Sequence, residues 1–311
     1  DMERVNALIR ERMASEHAPR IPEVTAHLIE AGGKRLRPML TLAAARLCGY
    51  QGDHHIRLAA TVEFIHTATL LHDDVVDESR QRRGRPTANL LWDNKSSVLV
   101  GDYLFSRSFQ LMVETGSLRV LDILANASAT IAEGEVLQLM NMHNAGLDEA
   151  GYLQVIRSKT AKLFEASARV GAILANANPE MEEACANYGQ ALGTAFQVID
   201  DVLDYAGDVS VMGKNLGDDL REGKATLPLI AAMQRGSDGQ RETIRLAIER
   251  GDVGMLGQVV RIVHETGALQ VAQHAAAAEA RRAVCEASLL PATPHARCLI
   301  QLAAQLLERQ H

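Results

Sequence analysis

Apolar residues recur at three- and four-residue spacing through residues 58–71, 118–140, 152–174, 181–203 and 268–289, each stretch long enough for four or more helical turns. Many of these stretches are apolar on more than one face, which is the pattern of helices surrounded by other helices. Strand-like alternation of Val, Ile, Thr and Tyr is scarce. Breaks fall at residues 49–52, 84–86, 176–179, 207–217, 236–239 and 291–294, and none has the extended Ser, Gly or Pro bias of a flexible linker. No repeat of solenoid period is present. The pattern predicts an all-α protein, one large helical bundle forming a single domain over residues 1–311.

Composition sharpens this picture at few points. Aromatic residues are only 4% of the chain, which favours alanine- and leucine-built helices over a sheet. A formal net charge of -7 argues against nucleic acid as a partner, since phosphate neutralisation needs a basic face. Any phosphate chemistry must therefore be local. Cys48, Cys185, Cys285 and Cys298 are scattered without zinc spacing and are expected to be reduced, mostly buried thiols. With no long apolar run and no charged-then-apolar leader pattern, the expectation is a cytoplasmic protein without a transmembrane segment.

The chemistry is concentrated in two acidic clusters. In LLHDDVVD, residues 70–77, three carboxylates close an otherwise apolar helix. Asp73 and Asp77 are four residues apart, so they share a face with about 5–6 Å between their Cβ atoms. His66 lies on that face two turns earlier. Such carboxylates repel each other unless a cation intervenes, and Mg²⁺ prefers one or two carboxylates with substrate phosphates completing its shell. The arrangement returns at residues 196–204, FQVIDDVLD, with Asp200, Asp201 and Asp204. A di-iron site would need Glu-x-x-His on each of two helices. Glu63–His66 is the only approach to that pattern, so Mg²⁺ with a phosphorylated ligand is the better reading.

Basic groups suited to phosphate accompany the acids. GGKRLRP, residues 32–38, sets three cations between a glycine pair and a proline placed to open a helix. Arg82 and Arg83 follow the first cluster directly. Lys159 and Thr160 sit in a helical stretch, where an ammonium and a hydroxyl could reach a phosphate. The glycine-punctuated segment 213–224, with Lys214 and Lys224, follows the second cluster.

Taken in order, GGKRLRP, LLHDDVVD with RRGRPT, SKT, FQVIDD and GKNLGDDLREGKATLP resemble the trans-isoprenyl diphosphate synthases, from Gly32 almost to the C-terminus. EFIHTATLLHDDVVDES, SVLVGDYLFSRSF, IAEGEVLQLMN and LFEAS look most like the bacterial octaprenyl diphosphate synthases, which make the ubiquinone side chain. The resemblance implies a homodimeric all-helical bundle in which the two Asp clusters face each other across a deep central cavity. By it, Asp73, Asp77 and Asp200 carry two to three Mg²⁺ ions, with Asp74, Asp201 and Asp204 as catalytic helpers. Lys34, Arg37, His66 and Arg83 match positions that bind isopentenyl diphosphate. Arg82, Lys159, Thr160, Gln197, Lys214 and Lys224 match positions that hold the allylic diphosphate, expected to be farnesyl diphosphate. Ala31 departs from a third glycine found in close relatives, and the tail Arg309-Gln310-His311 is less basic than that of some members.

The implied reaction is ionisation of the allylic diphosphate, aided by Arg82, Lys159 and Lys224, and attack by the double bond of isopentenyl diphosphate. In the family, bulk just before the first Asp cluster stops growth early. Ala68 and Thr69 are small here, so a long product is expected, of about eight isoprene units by the resemblance, with transient membrane contact for its release. Shorter- or longer-chain synthases remain open. So do a class I terpene cyclase, disfavoured by the all-Asp second cluster and few aromatics, and a noncatalytic synthase subunit, disfavoured by two intact clusters.

Overall fold

The computed structural model describes residues 1–206 and 217–308. In chain order these form α1 (Met2–Met13), α2 (Arg20–Glu30), α3 (Leu36–Leu47), α4 (His54–Val76), the two-residue strands β1 (Gln81–Arg82) and β2 (Arg85–Pro86), α5 (Ala88–Leu91), α6 (Asn94–Val113) and α7 (Leu118–Met140). Then come α8 (Glu149–Ile156), a π-helical turn (Arg157–Ala161), α9 (Lys162–Leu174), α10 (Pro179–Ala206), α11 (Asp218–Arg221), α12 (Leu227–Arg235), α13 (Asp238–Arg250), a 3₁₀ turn (Val253–Met255), α14 (Leu256–Glu265), α15 (Ala268–Ser288) and α16 (Pro294–Glu308). The chain is all-α, as its periodicity predicts. Its contacts gather into two compact units, each described by itself below.

The first unit takes residues 1–128, 166–186 and 290–296. Its core joins Val5 and Ile9 of α1, Val24 and Leu28 of α2, Phe64, Ala68 and Leu71 of α4, and Val100, Leu104 and Leu111 of α6. Most residues of α4 are buried, which explains why its sequence is apolar on more than one face. The helix stops where Glu78 turns into the left-handed region at φ 49° and Ser79 N–H donates to Asp74 O at 3.0 Å. α6 begins on Asp93, whose carboxylate accepts from Ser96 N–H at 2.6 Å. Gly171 lets α9 press on α3: a Cβ there would stand 2.6 Å from Thr41 O. Thr41 Oγ1 closes the same contact by donating to Ser167 O at 2.9 Å.

The second unit takes the described residues of 129–165, 187–289 and 297–308. α12 and α15 pack through small and branched side chains, with Ala276, Ala280, Ala283 and Ala287 buried on one face of α15. Tyr188 is fully buried and its hydroxyl donates to Leu299 O at 2.8 Å. A capping box of Ser237 and Gln240 opens α13, and Gly251 in the left-handed region closes it.

Three details differ from the sequence reading. The stretch 152–174 is not one regular helix but α8 and α9 joined by the π turn. The short run after the first acidic cluster pairs as an antiparallel hairpin, Arg82 opposite Arg85. Of the cysteines, Cys185 is buried and Cys48 half-buried, whereas Cys285 and Cys298 are exposed, because they fall on the outward faces of α15 and α16. All four are free thiols.

Candidate active site

In the first unit the acidic cluster occupies the C-terminal turn of α4, where the helix dipole is negative and carboxylates are least favoured without a counter-charge. The three acids have different surroundings. Asp73 and Asp77 are half-buried. Asp74 is fully buried, and its Oδ1 accepts from Arg82 Nε at 2.8 Å and pairs with Arg82 Nη2 at 2.7 Å. Burial raises the Asp74 carboxyl above its ordinary range, against the pull of Arg82. Asp74 thereby ties the β1–β2 hairpin to α4.

That hairpin presents Arg83 toward the loop before α3. The loop runs through Gly32 at φ 81°, Gly33 at φ 156° and Arg35 at φ 50°, and leaves Lys34 exposed. A Cβ on Gly33 would lie 2.8 Å from Arg83 Nη1, so the glycine is what lets the guanidinium rest on the backbone. Arg37 Nη1 lies 3.2 Å from His66 Nε2. A guanidinium has no acceptor, so Nε2 accepts and the ring is neutral, with its proton on Nδ1. Electrostatics agree: burial, then Arg37, Arg83, Arg82 and Arg35, push His66 well below its ordinary 6.5. Burial also brings Arg37 down to about 10, with Glu63 opposing. Ala68 is buried in the core beside Phe64 and Leu71, and Thr69 Oγ1 donates to His66 O at 2.8 Å.

In the second unit Lys159 and Thr160 lie inside the π turn, where an extra residue redirects side chains from the regular helical faces. The turn fits because Gly134 of α7 has no side chain: a Cβ would stand 2.8 Å from Lys159 N and from Ser158 Cβ. Lys159 Nζ pairs with Glu135 at 2.7 Å. Thr160 Oγ1 donates to Gln197 Oε1 at 2.9 Å, and Gln197 Nε2 donates to Asp201 Oδ1 at 2.8 Å. Tyr152 OH donates to the other oxygen, Oδ2, at 2.6 Å. Burial, then Asp219, pushes the Asp201 carboxyl well up. Asp204 accepts from the backbone N–H groups of Gly217 at 3.1 Å and Asp219 at 3.3 Å. Burial and Asp219 raise it to about 7. Asp200 is exposed. Lys224 pairs with Glu222 and stands 3.9 Å from Asp219. One recess is lined by Gln138, Tyr152, Lys159, Thr160, Gln197 and Lys224. Lys214 and the tail residues 309–311 lie outside the described residues.

Two basic sets, each beside a DDxxD cluster, are the chemistry of diphosphate handling, and a profile of polyprenyl synthetases matches residues 18–263. The chain belongs to the polyprenyl synthetase family. It is 49% identical over 310 residues to the octaprenyl diphosphate synthase of Escherichia coli, covering 99% of this chain and 96% of that one. The crystal structure of a decaprenyl diphosphate synthase from Rhodobacter capsulatus is similar at a TM-score of 0.96 and 60% identity, covering 100% of this chain and 96% of that one. A polyprenyl synthase from Caulobacter crescentus, solved in complex with calcium and isoprenyl diphosphate, matches at 0.94 and 49%, covering 100% and 95%. This polyprenyl synthetase is accordingly a prenyltransferase that acts on isoprenoid diphosphates.

Among the described residues of the synthetase no three His, Cys, Asp or Glu side chains assemble a metal cage. The donor set suits a hard divalent ion that takes one or two carboxylates and draws its remaining ligands from phosphate and water. Half-buried Asp73 and Asp77 in the first unit, and exposed Asp200 in the second, are carboxylates of that kind, while Asp74, Asp201 and Asp204 accept hydrogen bonds from Arg82, Tyr152 and Gly217. Sequence reasoning missed Glu135, Tyr152 and Asp219, and took Arg35 only as one of three cations suited to phosphate. Tyr152 stands two helical turns before Lys159, a spacing that was legible, whereas the partners of Arg35 and Asp219 depend on packing.

Proposed function

We propose that this polyprenyl synthetase is a Mg²⁺-dependent trans-polyprenyl diphosphate synthase that adds isopentenyl diphosphate to farnesyl diphosphate and ends at octaprenyl diphosphate, for a quinone side chain. Two separate basic sets, one for each diphosphate, carry the reading. Arg37, His66 and Arg83, with exposed Lys34, bind isopentenyl diphosphate. Neutral His66 serves there as a hydrogen-bond partner and leaves the positive charge to the arginines. Lys159, Thr160, Gln197 and Lys224, with Arg82 and Lys214, hold the allylic diphosphate. Asp73, Asp77 and Asp200 hold the Mg²⁺, which when bound neutralises charge on the diphosphate leaving group.

The side chains need perform no proton transfer of their own. They orient the allylic carbon and the double bond, and positioning of this kind supplies much of the acceleration. The departing diphosphate takes the proton released in each addition. Each buried CH₂ of the growing tail contributes about 0.8 kcal/mol, and small Ala68 and Thr69 leave room for it. A long product is supported by the 49% identity with the E. coli octaprenyl diphosphate synthase and the 60% identity with the Rhodobacter capsulatus decaprenyl diphosphate synthase, and the motifs quoted from the sequence point to eight units within that range. A homodimer fits the exposed Val98, Leu99, Phe109 and Val113 of α6. No described helix is long and apolar enough to cross a membrane, in keeping with a cytoplasmic enzyme that touches the bilayer to release its product.

The test is incubation of the purified chain with farnesyl diphosphate, labelled isopentenyl diphosphate and Mg²⁺, with and without EDTA, and chromatography of the dephosphorylated products. A metal-dependent ladder ending at eight units is expected. Failure to elongate any allylic primer would sink the proposal in favour of a cyclase or a noncatalytic subunit.

A further inference from the structure

The first unit holds a buried carboxylate to which the proposed chemistry gives no role. Glu63 stands on α4 one turn before His66, and its Oε1 accepts a hydrogen bond from Arg35 Nη1. Both side chains are largely withdrawn from water, at 17% exposure for Arg35 and 11% for Glu63. A guanidinium fixed in this way suits interior pairing better than an ammonium would. Arg35 reaches Glu63 from a left-handed backbone at φ 50°, a conformation that a side-chain-bearing residue keeps only when its surroundings impose it. The same loop contains Gly33, on whose backbone Arg83 rests, and leads within two residues to Arg37, the partner of His66.

Charge gives the pair a second significance. Arg35, Arg37, Arg82 and Arg83 all act on His66, four like charges around one imidazole. Glu63 is the carboxylate that acts in the opposite sense on both Arg37 and Arg83. Before a diphosphate arrives, these guanidinium groups repel one another, and an internal counter-ion is what allows them to converge in advance. Preorganised cations bind an anion without a further ordering cost.

We propose that Glu63 is a positioning residue for the isopentenyl diphosphate site: by clamping Arg35 it fixes the left-handed loop before α3 and so places Arg37 and the seat of Arg83. The inference rests on the assignment of Arg37, His66 and Arg83 to that substrate made above. Breaking a pair that served stability alone would lower the melting temperature and affect the two substrates alike. A positioning pair separates them.

The experiment is steady-state kinetics with each substrate varied in turn, on the wild type, Glu63→Gln, Arg35→Gln and the double variant, each checked by circular dichroism. Glu63→Gln is expected to raise the KM for isopentenyl diphosphate about tenfold or more, with the KM for farnesyl diphosphate within about twofold of wild type. Arg35→Gln should do the same, and the double variant should be no worse than the worse single one, since all three break one contact. Glu63→Asp, one methylene short, should fall between Glu63→Gln and wild type. Equal rises in both KM values, an unchanged KM for isopentenyl diphosphate, or additive losses in the double variant would overturn the proposal. Should Glu63→Gln not fold, Arg35→Lys decides: it keeps the charge but not the fork, and a KM within twofold of wild type overturns the idea. A wild type that elongates no primer overturns the functional reading and this inference with it; one that elongates while Glu63→Gln matches it overturns this inference alone.

Discussion

His66 shows how much a single side chain can report. Its folded pKa lies below the 6.5 of the unfolded chain, so on acidification the unfolded state takes up a proton that the folded state refuses. The stabilisation is fully present above pH 6.5 and is lost as the pH falls below it. Replacing His66→Gln keeps an acceptor for Arg37 and removes the titration. Between pH 7 and pH 5 the wild type should lose stability more steeply than the variant, by at most about 1.4 kcal/mol per pH unit, in urea melts at several pH values. Parallel profiles would show that the ring is not held neutral. At Ala68, buried beside Phe64 and Leu71, a phenyl ring would add bulk just before the first acidic cluster. Ala68→Phe is expected to shorten the product to four or five units, about half the proposed length, if the tail passes this position. An unchanged product would move the tail elsewhere.

Among elements, the π turn between α8 and α9 carries the most chemistry in the fewest residues. Periodicity across 152–174 reads as one helix, since one inserted residue scarcely disturbs an apolar stripe. The turn is instead visible in its consequence, the backbone of Ser158 and Lys159 seated against Gly134. Arg157, its first residue, is anchored by donating to Glu279 of α15 at 2.8 Å. Gly134→Ala places a methyl against backbone that must shift, which costs about 1–3 kcal/mol as overpacking. The KM for the allylic substrate should rise about tenfold, with that for isopentenyl diphosphate little changed. Thermal melts and the two KM values check this together. The hairpin after α4 works by a similar logic: Asp74, which spacing sets off the face shared by Asp73 and Asp77, is turned inward to Arg82. Its neighbours Asp73 and Asp77 stay half-buried in the last turn of the helix, where the proposed Mg²⁺ would be bound.

For the whole molecule, the exposed apolar residues of α6 make a surface prediction. Leu99 is 66% and Val113 65% exposed, and with Val98 and Phe109 they are the apolar side chains of α6 that a homodimer contact would cover. If α6 is the homodimer contact, Leu99→Glu with Val113→Glu should give a monomer in sedimentation equilibrium, and a persisting dimer would exclude this face. The sequence by itself determined the all-α class, the bounds of α7, the two acidic clusters, the basic segments beside them and the family. These rest on spacing within one helix or on short contiguous motifs, and residues three or four apart are neighbours wherever the helix goes. Only the tertiary structure decided which acids turn inward, that Tyr152 holds Asp201 across 49 residues, and that Arg35 is clamped to Glu63 across 28. Partners so far apart meet only when helices pack, and it is burial on packing that makes an unpaired charge costly and so selects the pairs that form.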